Sequence, residues 1–360
     1  GSANMYFNKR GSYLAHWNST EAITATNGSG SRINFVSVTA SDALTYAQTY
    51  KTAVLEKLSA LQNAPDLWSD GASAYTTLNA VTTEESKTDL ENAHKLAIAT
   101  STASTAFFES LKNKTVTLKS QATDSGENGR QGRMMNISST AVTGVVDGSN
   151  TTLNEIITLV PTIDLYVSLY SSESAKYAHL NGTVTDALNA SRFYIQSSSA
   201  TVEVVENVVA FRESATNMFH LHDSSHGFAV KNYSANDDSN FNDPASRWLV
   251  SSDISKCLLQ TAINNATPFK TNLETLVNNL VAAKKISVKP TTLSVTLPTA
   301  ITKAQNALNN ASGTPATRTA AAAALNATLT KAKSAWLGEF GTAQQFRLKS
   351  RTITNYYLTA

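Results

Sequence analysis

The chain has 360 residues, of which 41% are hydrophobic and only 16% are charged, and its formal net charge is +2. Apolar residues recur at helical spacing, which excludes a chain that is disordered along its whole length. The single cysteine, Cys257, excludes an intramolecular disulfide, and no apolar run reaches the roughly 18 residues of a membrane-spanning helix.

Charge is unevenly distributed along the chain. Residues 251–360 contain twelve Lys or Arg and three Asp or Glu, so they carry +9 and residues 1–250 carry −7. Such a split is typical of an acidic region that meets the basic region of a neighbouring subunit, or of a basic surface that faces nucleic acid or membrane. Attraction between two lobes of one monomer would explain it equally well.

Helical periodicity dominates the first part of the chain. Residues 41–62 place an apolar stripe on one face of a helix that ends before Pro65. Thr82 and Glu85 have the spacing of a capping box, and the helix predicted from there continues to about residue 122 without proline or glycine. At about 1.5 Å per residue this helix would be roughly 60 Å long, which favours an elongated bundle.

Helices are also predicted for most of the middle of the chain. Residues 124–133 form a glycine-rich loop, and residues 134–146 fit either a short strand or a helix. Residues 150–170 and 174–196 are predicted to be helices, the first of them kinked at Pro161.

The strongest helical pattern lies in residues 201–223, because six side chains there follow a 4-3-4-3-4 spacing. This stripe consists of Val204, Val208, Phe211, Ala215, Met218 and His222. It predicts a packed helix with His222 on its apolar face.

The last third of the chain is predicted to return to helices. One helix is predicted over residues 252–285 and another over residues 343–358. A third is predicted to start at Pro315, with Thr314 as its N-cap. Residues 287–298 have alternating β-prone side chains and two prolines, which fit a lone edge strand.

These patterns predict a mainly α protein, an elongated multi-helix bundle of about eight helices with long irregular loops and little or no β-structure. The predicted organisation is an N-terminal acidic helical region (1–223), a polar connecting loop (224–250) and a C-terminal basic helical region (251–360). The two helical regions could also pack as one domain.

Three of the six histidines lie in the segment FHLHDSSHGF. On a continuous helix His222 and His226 would face the same way, and His220 could join them if the chain unwinds. Asp223 could supply an oxygen ligand or orient a histidine. We expect no cofactor beyond a divalent metal, for which this cluster is a candidate site. The alternative is a helix end, where charged histidines favour the dipole and Gly227 stops the helix.

The segment NDDSNFND contains oxygen ligands of the kind that calcium prefers. Asp238, Asn240 and Asn242 match the pattern D-x-N-x-N, and Asp243 stands where an EF-hand has glycine. Leu249 occupies the twelfth position instead of Glu, which excludes an EF-hand. An irregular calcium loop and a solvated turn rich in Asx residues are the two interpretations.

Eleven Asn-X-Ser/Thr sequons favour an exported glycoprotein, although a chain this rich in Asn, Ser and Thr contains many such triplets by chance. The candidate glycosylation sites are Asn18, Asn27, Asn113, Asn136, Asn150, Asn181, Asn189, Asn232, Asn265, Asn310 and Asn326.

The sequence contains no nucleophile elbow, phosphate-binding glycine loop or dinucleotide fingerprint, so we expect a protein that is not an enzyme. The favoured function is an exported structural subunit that assembles with itself into an extracellular filament or surface layer. One alternative is a helical viral coat protein whose Arg347, Lys349 and Arg351 face nucleic acid among aromatic residues. The other is a membrane-active or pore-forming protein that exposes residues 134–170.

Overall fold

The computed structural model describes residues 6–10, 13–17, 38–63, 65–162, 164–198, 202–203, 205–214, 216–234, 239–283, 291–341, 348–349 and 357–358. By its internal contacts the chain divides into two compact units. One contains residues 1–50 and 83–97, and the other contains residues 51–82 and 98–360.

A hairpin and three helices form the first part of the chain. Strands β1 (Tyr6–Arg10) and β2 (Tyr13–Trp17) pair antiparallel. They are followed by helices α1 (Ala40–Ser59), α2 (Pro65–Asn79) and α3 (Asp89–Leu111). The helix predicted over residues 41–62 is thereby confirmed as α1 and the short turn after it.

Helix α3 is much shorter than the predicted forty-residue helix. Its capping box is formed by Thr88 and Glu91, not by Thr82 and Glu85: the amide of Glu91 donates to the Thr88 hydroxyl at 3.3 Å, and the amide of Thr88 donates to the Glu91 carboxylate at 2.8 Å. Just beyond the other end of α3, Asn113 has a φ of 59°, which is left-handed. The chain then enters a strand instead of continuing as a helix.

A twelve-stranded antiparallel sheet occupies the centre of the second unit. Its strands are β3 (Thr115–Ser120), β4 (Met134–Ile137), β5 (Val142–Val145), β6 (Ile157–Pro161), β7 (Val167–Ser171), β8 (Lys176–Ala178), β9 (Val184–Thr185), β10 (Tyr194–Gln196), β11 (Val208–Arg212), β12 (Asn217–Leu221), β13 (Val230–Ser234) and β14 (Trp248–Ser251). The main path runs β13-β12-β11-β14-β3-β6-β7-β8-β9; in addition β10 pairs with β11, β4 pairs with β3, and β5 pairs with β4.

This sheet shows that the prediction of a helical bundle with little or no β-structure is wrong. The helices predicted over 150–170, 174–196 and 201–223 are replaced by strands and turns. Val208 and Phe211 lie in β11 and Met218 in β12, two antiparallel neighbours, so the apparent helical stripe combines residues from two strands. Val204 and Ala215, which completed that stripe, lie outside the described residues.

Strand β5 connects the two ends of the sheet path. Isolated bridges join Thr143 to Ala229, beside β13, and Ala141 to Thr183, beside β9. The amide of Val142 donates to the carbonyl of Gly182 at 2.9 Å. Both terminal strands therefore have a neighbour on their outer side at these positions, which limits strand addition from outside.

Helices resume after the sheet. They are the short α4 (Ser239–Asn242), which precedes β14, and then α5 (Ser255–Ala282), α6 (Leu297–Asn309) and α7 (Pro315–Gly341). The predicted cap of α7 is confirmed, because the amide of Thr317 donates to the Thr314 hydroxyl at 3.2 Å. In the described residues no helix combines the length and apolarity that crossing a membrane requires.

Two predictions for the last third are wrong where the structure describes the chain. Residues 291–296 of the predicted edge strand form a helical turn that leads into α6. Strands β15 (Leu348–Lys349) and β16 (Tyr357–Leu358) pair where a helix was predicted over 343–358. Secondary-structure propensity predicted these segments wrongly because the local sequence does not show which segments pair with each other.

The two largest hydrophobic cores among the described residues both lie in the second unit. The first joins the inner face of the sheet to Val54, Leu58 and other apolar residues of the helices. The second lies among α5, α6 and α7, with Leu259, Leu297 and Leu325 fully or almost fully buried. The three C-terminal helices thus form a layer with a core of its own.

Candidate functional site

Strand β12 and the turn after it bring the three predicted histidines together. His220 lies in β12, His222 follows the strand, and His226 ends a short 3-10 turn. The ring centroids of His220 and His222 are 5.1 Å apart, and those of His222 and His226 are 5.3 Å apart. Alternate residues of an extended chain face the same way. The contact between His220 and His222 is therefore explained by an extended segment and not by the predicted helix.

His220 is held in its neutral form. Its side chain is 4% exposed, and burial lowers its pKa to about 4. Its Nδ1 lies 2.9 Å from Oγ of Ser246, and its Nε2 lies 3.2 Å from Nη1 of Arg130. Because a guanidinium can only donate, Nε2 accepts, and Nδ1 carries the proton and donates to Ser246. Both nitrogens of His220 therefore have protein partners.

The other members of the cluster also have partners. Nε2 of His222 lies 3.4 Å from the carbonyl oxygen of Asn232, and burial lowers its pKa. Hydrogen bonds from Ser225 and His226 lower the pKa of Asp223 to about 2. Within the described residues, no group of three or more His, Cys, Asp or Glu side chains is placed to hold a metal ion. The divalent-metal site stays a prediction from the sequence.

The predicted calcium ligands are only partly described. Asp238 lies outside the described residues, whereas Asn240 and Asn242 lie in α4 and Asp243 follows it. The Asp243 carboxylate accepts a 2.8 Å hydrogen bond from the amide of Ala245 and caps the next turn. This is the local bonding of an Asx turn. The calcium loop likewise remains a prediction.

The sequons differ in exposure. The exposed ones are Asn113, Asn181, Asn189, Asn265, Asn310 and Asn326. Asn150 and Asn232 are half-buried, while Asn18 and Asn27 lie outside the described residues. Asn136 is 6% exposed, and its amide oxygen accepts a 2.9 Å hydrogen bond from Asn150. Because a glycan is bulky and occupies the surface, the exposed asparagines are the better candidates.

A buried carboxyl group lies beside the single cysteine. Glu155 precedes β6 and is 3% exposed, and Sγ of Cys257 donates to its Oε2 at 3.5 Å. Oε1 of Glu155 has no hydrogen-bond partner among the described residues. Burial raises the pKa of Glu155 to about 7 and that of Cys257 to about 12. The thiol stays protonated at neutral pH, which argues against a nucleophilic role.

A second cluster combines a lysine with two tyrosines. Nζ of Lys57, on α1, lies 3.7 Å from the ring centroid of Tyr194 and 4.8 Å from that of Tyr166. The two rings meet edge to face at 6.1 Å. Burial lowers the pKa of Lys57. A desolvated ammonium over two aromatic faces is stabilised by cation–π attraction and lines a cavity of about 360 Å³.

An apolar groove runs between α6 and α7. Its volume is about 500 Å³, and alanine and threonine side chains line most of it. Val295, at its edge, is 55% exposed. Small side chains on both walls would let another helix approach closely, because interaxial distance depends on the residues at the contact.

No protein-family model matches the chain, and neither the curated proteins nor the solved structures contain one that is significantly similar to it. The side chains, cavities and charges described above are therefore the basis for assigning a function.

The sequence indicated the histidine cluster but neither of the other two clusters. Lys57 and Tyr194 are far apart in the chain, as are Glu155 and Cys257, and only the sheet brings each pair together. The one local signal was that Cys257 is the only cysteine. Cavities that form between distant segments leave no motif of fixed spacing.

Proposed function

We propose that this protein is a non-enzymatic, exported structural subunit that assembles with copies of itself into an extracellular filament or surface layer. The observation that supports this most directly is the exposed lysines in the layer of α5, α6 and α7, together with the groove of small side chains between α6 and α7. The occupant that we propose for the groove is a helix of a second copy.

Charge complementarity supports contact between copies but does not select the helix that occupies the groove. The exposed basic residues of the helical layer include Lys256, Lys303, Lys331 and Lys333. The exposed acidic residues of the sheet region include Glu173, Asp186, Glu203, Glu206 and Glu213. A basic helical layer meeting an acidic surface of a neighbour would gain orientation and association rate from this pattern.

The sheet is a poorer route to assembly than the helices. Both ends of its path are bridged to β5, so strand addition there would compete with existing contacts. The α6–α7 groove has no such competitor in the described residues. Packing of small residues in the groove would supply apolar contact, and Lys303 in its lining would favour an acidic partner face.

Sedimentation velocity over a range of protein and salt concentrations tests the proposal. We expect oligomers at low salt that dissociate as salt screens the opposite charges. Ala324→Glu places a charge in the groove and should give monomers. Ala327→Glu, on the same helix but outside the groove lining, should leave assembly unchanged. A wild-type monomer under all conditions would contradict self-assembly, and equal effects of the two variants would contradict the groove as the contact.

The purified protein used for sedimentation also distinguishes the two alternative functions, a viral coat protein and a membrane-active protein. A viral coat protein would carry nucleic acid, and its binding would weaken steeply with salt. A membrane-active protein would release dye from lipid vesicles. Mass increments of hexose size on the exposed sequons of protein from its natural source would support export.

A further inference from the structure

The cavity beside Lys57 is built from three parts of the second unit. The end of α1 provides Lys57 and Ser59, β10 and the residues after it provide Gln196 and Ser198, and β11 provides Arg212. A volume of about 360 Å³ lies at the lower end of the range for pockets that hold small organic molecules.

Lys57 brings a positive charge to this cavity. Among the described residues no carboxylate forms an ion pair with Lys57, whose ammonium rests on the two tyrosine rings. Arg212 is 3% exposed. Glu56, which is exposed, is the one carboxylate in the described lining.

Polar groups of the cavity are held in position by hydrogen bonds. Nη1 of Arg212 donates to Oε1 of Gln196 at 2.6 Å, and Nε2 of Gln196 donates to the carbonyl of Ser198 at 2.7 Å. Nε of Arg212 donates to the carbonyl of Ser214 at 3.3 Å. The guanidinium is therefore fixed before any ligand arrives, which lowers the entropic cost of binding.

We propose that this cavity binds a small ligand with an oxyanion head group, of the size and polarity of an acidic monosaccharide. The ammonium of Lys57 contacts the oxyanion and attracts its negative charge. Ser197 and Ser198 also line the cavity, and in this proposal their hydroxyl groups bond the ligand's hydroxyls. A neutral sugar lacks the group that the ammonium requires.

Isothermal titration calorimetry of the full chain with sodium glucuronate, sodium sulfate and glucose tests this site. We expect glucuronate to bind and glucose not to bind. Lys57→Met keeps an unbranched chain over the two tyrosines but removes the charge, and it should weaken binding at least tenfold. Binding of sulfate alone, if it depends on Lys57, would still support an oxyanion site and would identify the head group as sufficient.

Lys333→Met is the matched control, because the Lys333 ammonium also lies over an aromatic ring, that of Phe269 at 5.7 Å, but outside this cavity. It should bind glucuronate as wild type does. The circular dichroism and melting temperature of both variants establish that they are folded. The proposal is overturned if neither anion binds, if Lys57→Met binds as tightly as wild type, or if glucose binds as well as glucuronate.

Discussion

The guanidinium of Arg318, on α7, forms an ion pair with the carboxylate of Asp253, which lies two residues before the start of α5. The Arg318 side chain is 6% exposed, and its Nε donates to Oγ of Ser255 at 2.9 Å. Asp253 in turn accepts the amide of Ser255 at 3.1 Å. Burial alone would raise the pKa of Asp253, but the hydrogen bonds from Ser255 and Arg318 outweigh it and leave the pKa lowered. One cation thus connects the last long helix to the start of α5.

Removing this cation should destabilise the second unit. Arg318→Met removes the guanidinium that contacts both Asp253 and Ser255, and we expect a loss of about 2–3 kcal/mol in the free energy of unfolding. Urea unfolding measures it. Lys270→Met is the control, because the pair of Lys270 and Glu274 is more exposed, and it should cost less than about 0.5 kcal/mol. Equal losses would show that the buried pair has no special role.

His220 should make the protein sensitive to acid. Its pKa is about 6.5 in the unfolded chain and about 4 in the folded one, so the unfolded state binds the proton first. Its contribution to stability is complete above pH 6.5 and is lost as the pH falls towards 4, by up to about 3 kcal/mol. His220→Gln should be less stable than wild type at pH 7, but its free energy of unfolding should fall less than that of wild type between pH 7 and pH 4. Identical pH profiles in urea unfolding would rule out this role.

Glu155 should have the opposite pH dependence. Its folded pKa of about 7 lies above the ordinary value of 4.5, so the folded state retains the proton longer. Stability should fall as the pH rises from 4.5 to 7, by up to about 3 kcal/mol, and then stay level. Glu155→Gln should therefore exceed wild type in stability at pH 8 and resemble it at pH 4.5. The exposed Glu173→Gln is the control, and a wild-type-like profile for Glu155→Gln would contradict the raised pKa.

Gly144 in β5 should not tolerate a side chain. A Cβ there would lie 2.5 Å from Cδ1 of Leu221, which is fully buried. We expect Gly144→Ala to cost about 1–3 kcal/mol in thermal or urea unfolding, because overpacking forces neighbours to shift. Combining it with Leu221→Ala should cost clearly less than the sum of the two single changes. Additive costs would mean that the two positions do not compete for space.

Local pattern predicted the helices that have strong local signals. Helix α1 has an apolar stripe, and α7 has Thr314 as its cap and Pro315 at its first position, so both were found. The sheet was missed because short strands joined by turns, such as β11 and β12, can reproduce helical spacing by coincidence. Long-range pairing, as between β3 and β14, is absent from any local window.

The candidate sites divide in the same way. The sequence located the histidines because they are neighbours, but it placed them on a helix, and therefore could not anticipate the contact of His220 with Arg130 and Ser246. Lys57 lies in α1 and Arg212 in β11, and the two line one cavity only because the sheet brings these elements together. Local sequence windows do not predict contacts between segments that are distant in the chain.

The bridging position of β5 has a consequence for how the chain is made. Gly144 donates its amide to the carbonyl of Phe228, and β3 pairs with β14, whose last residue is Ser251. During synthesis, residues 115–145 leave the ribosome long before these partners exist. The sheet therefore closes late, after many non-local contacts, and we expect slow folding with strand edges open to aggregation on the nascent chain.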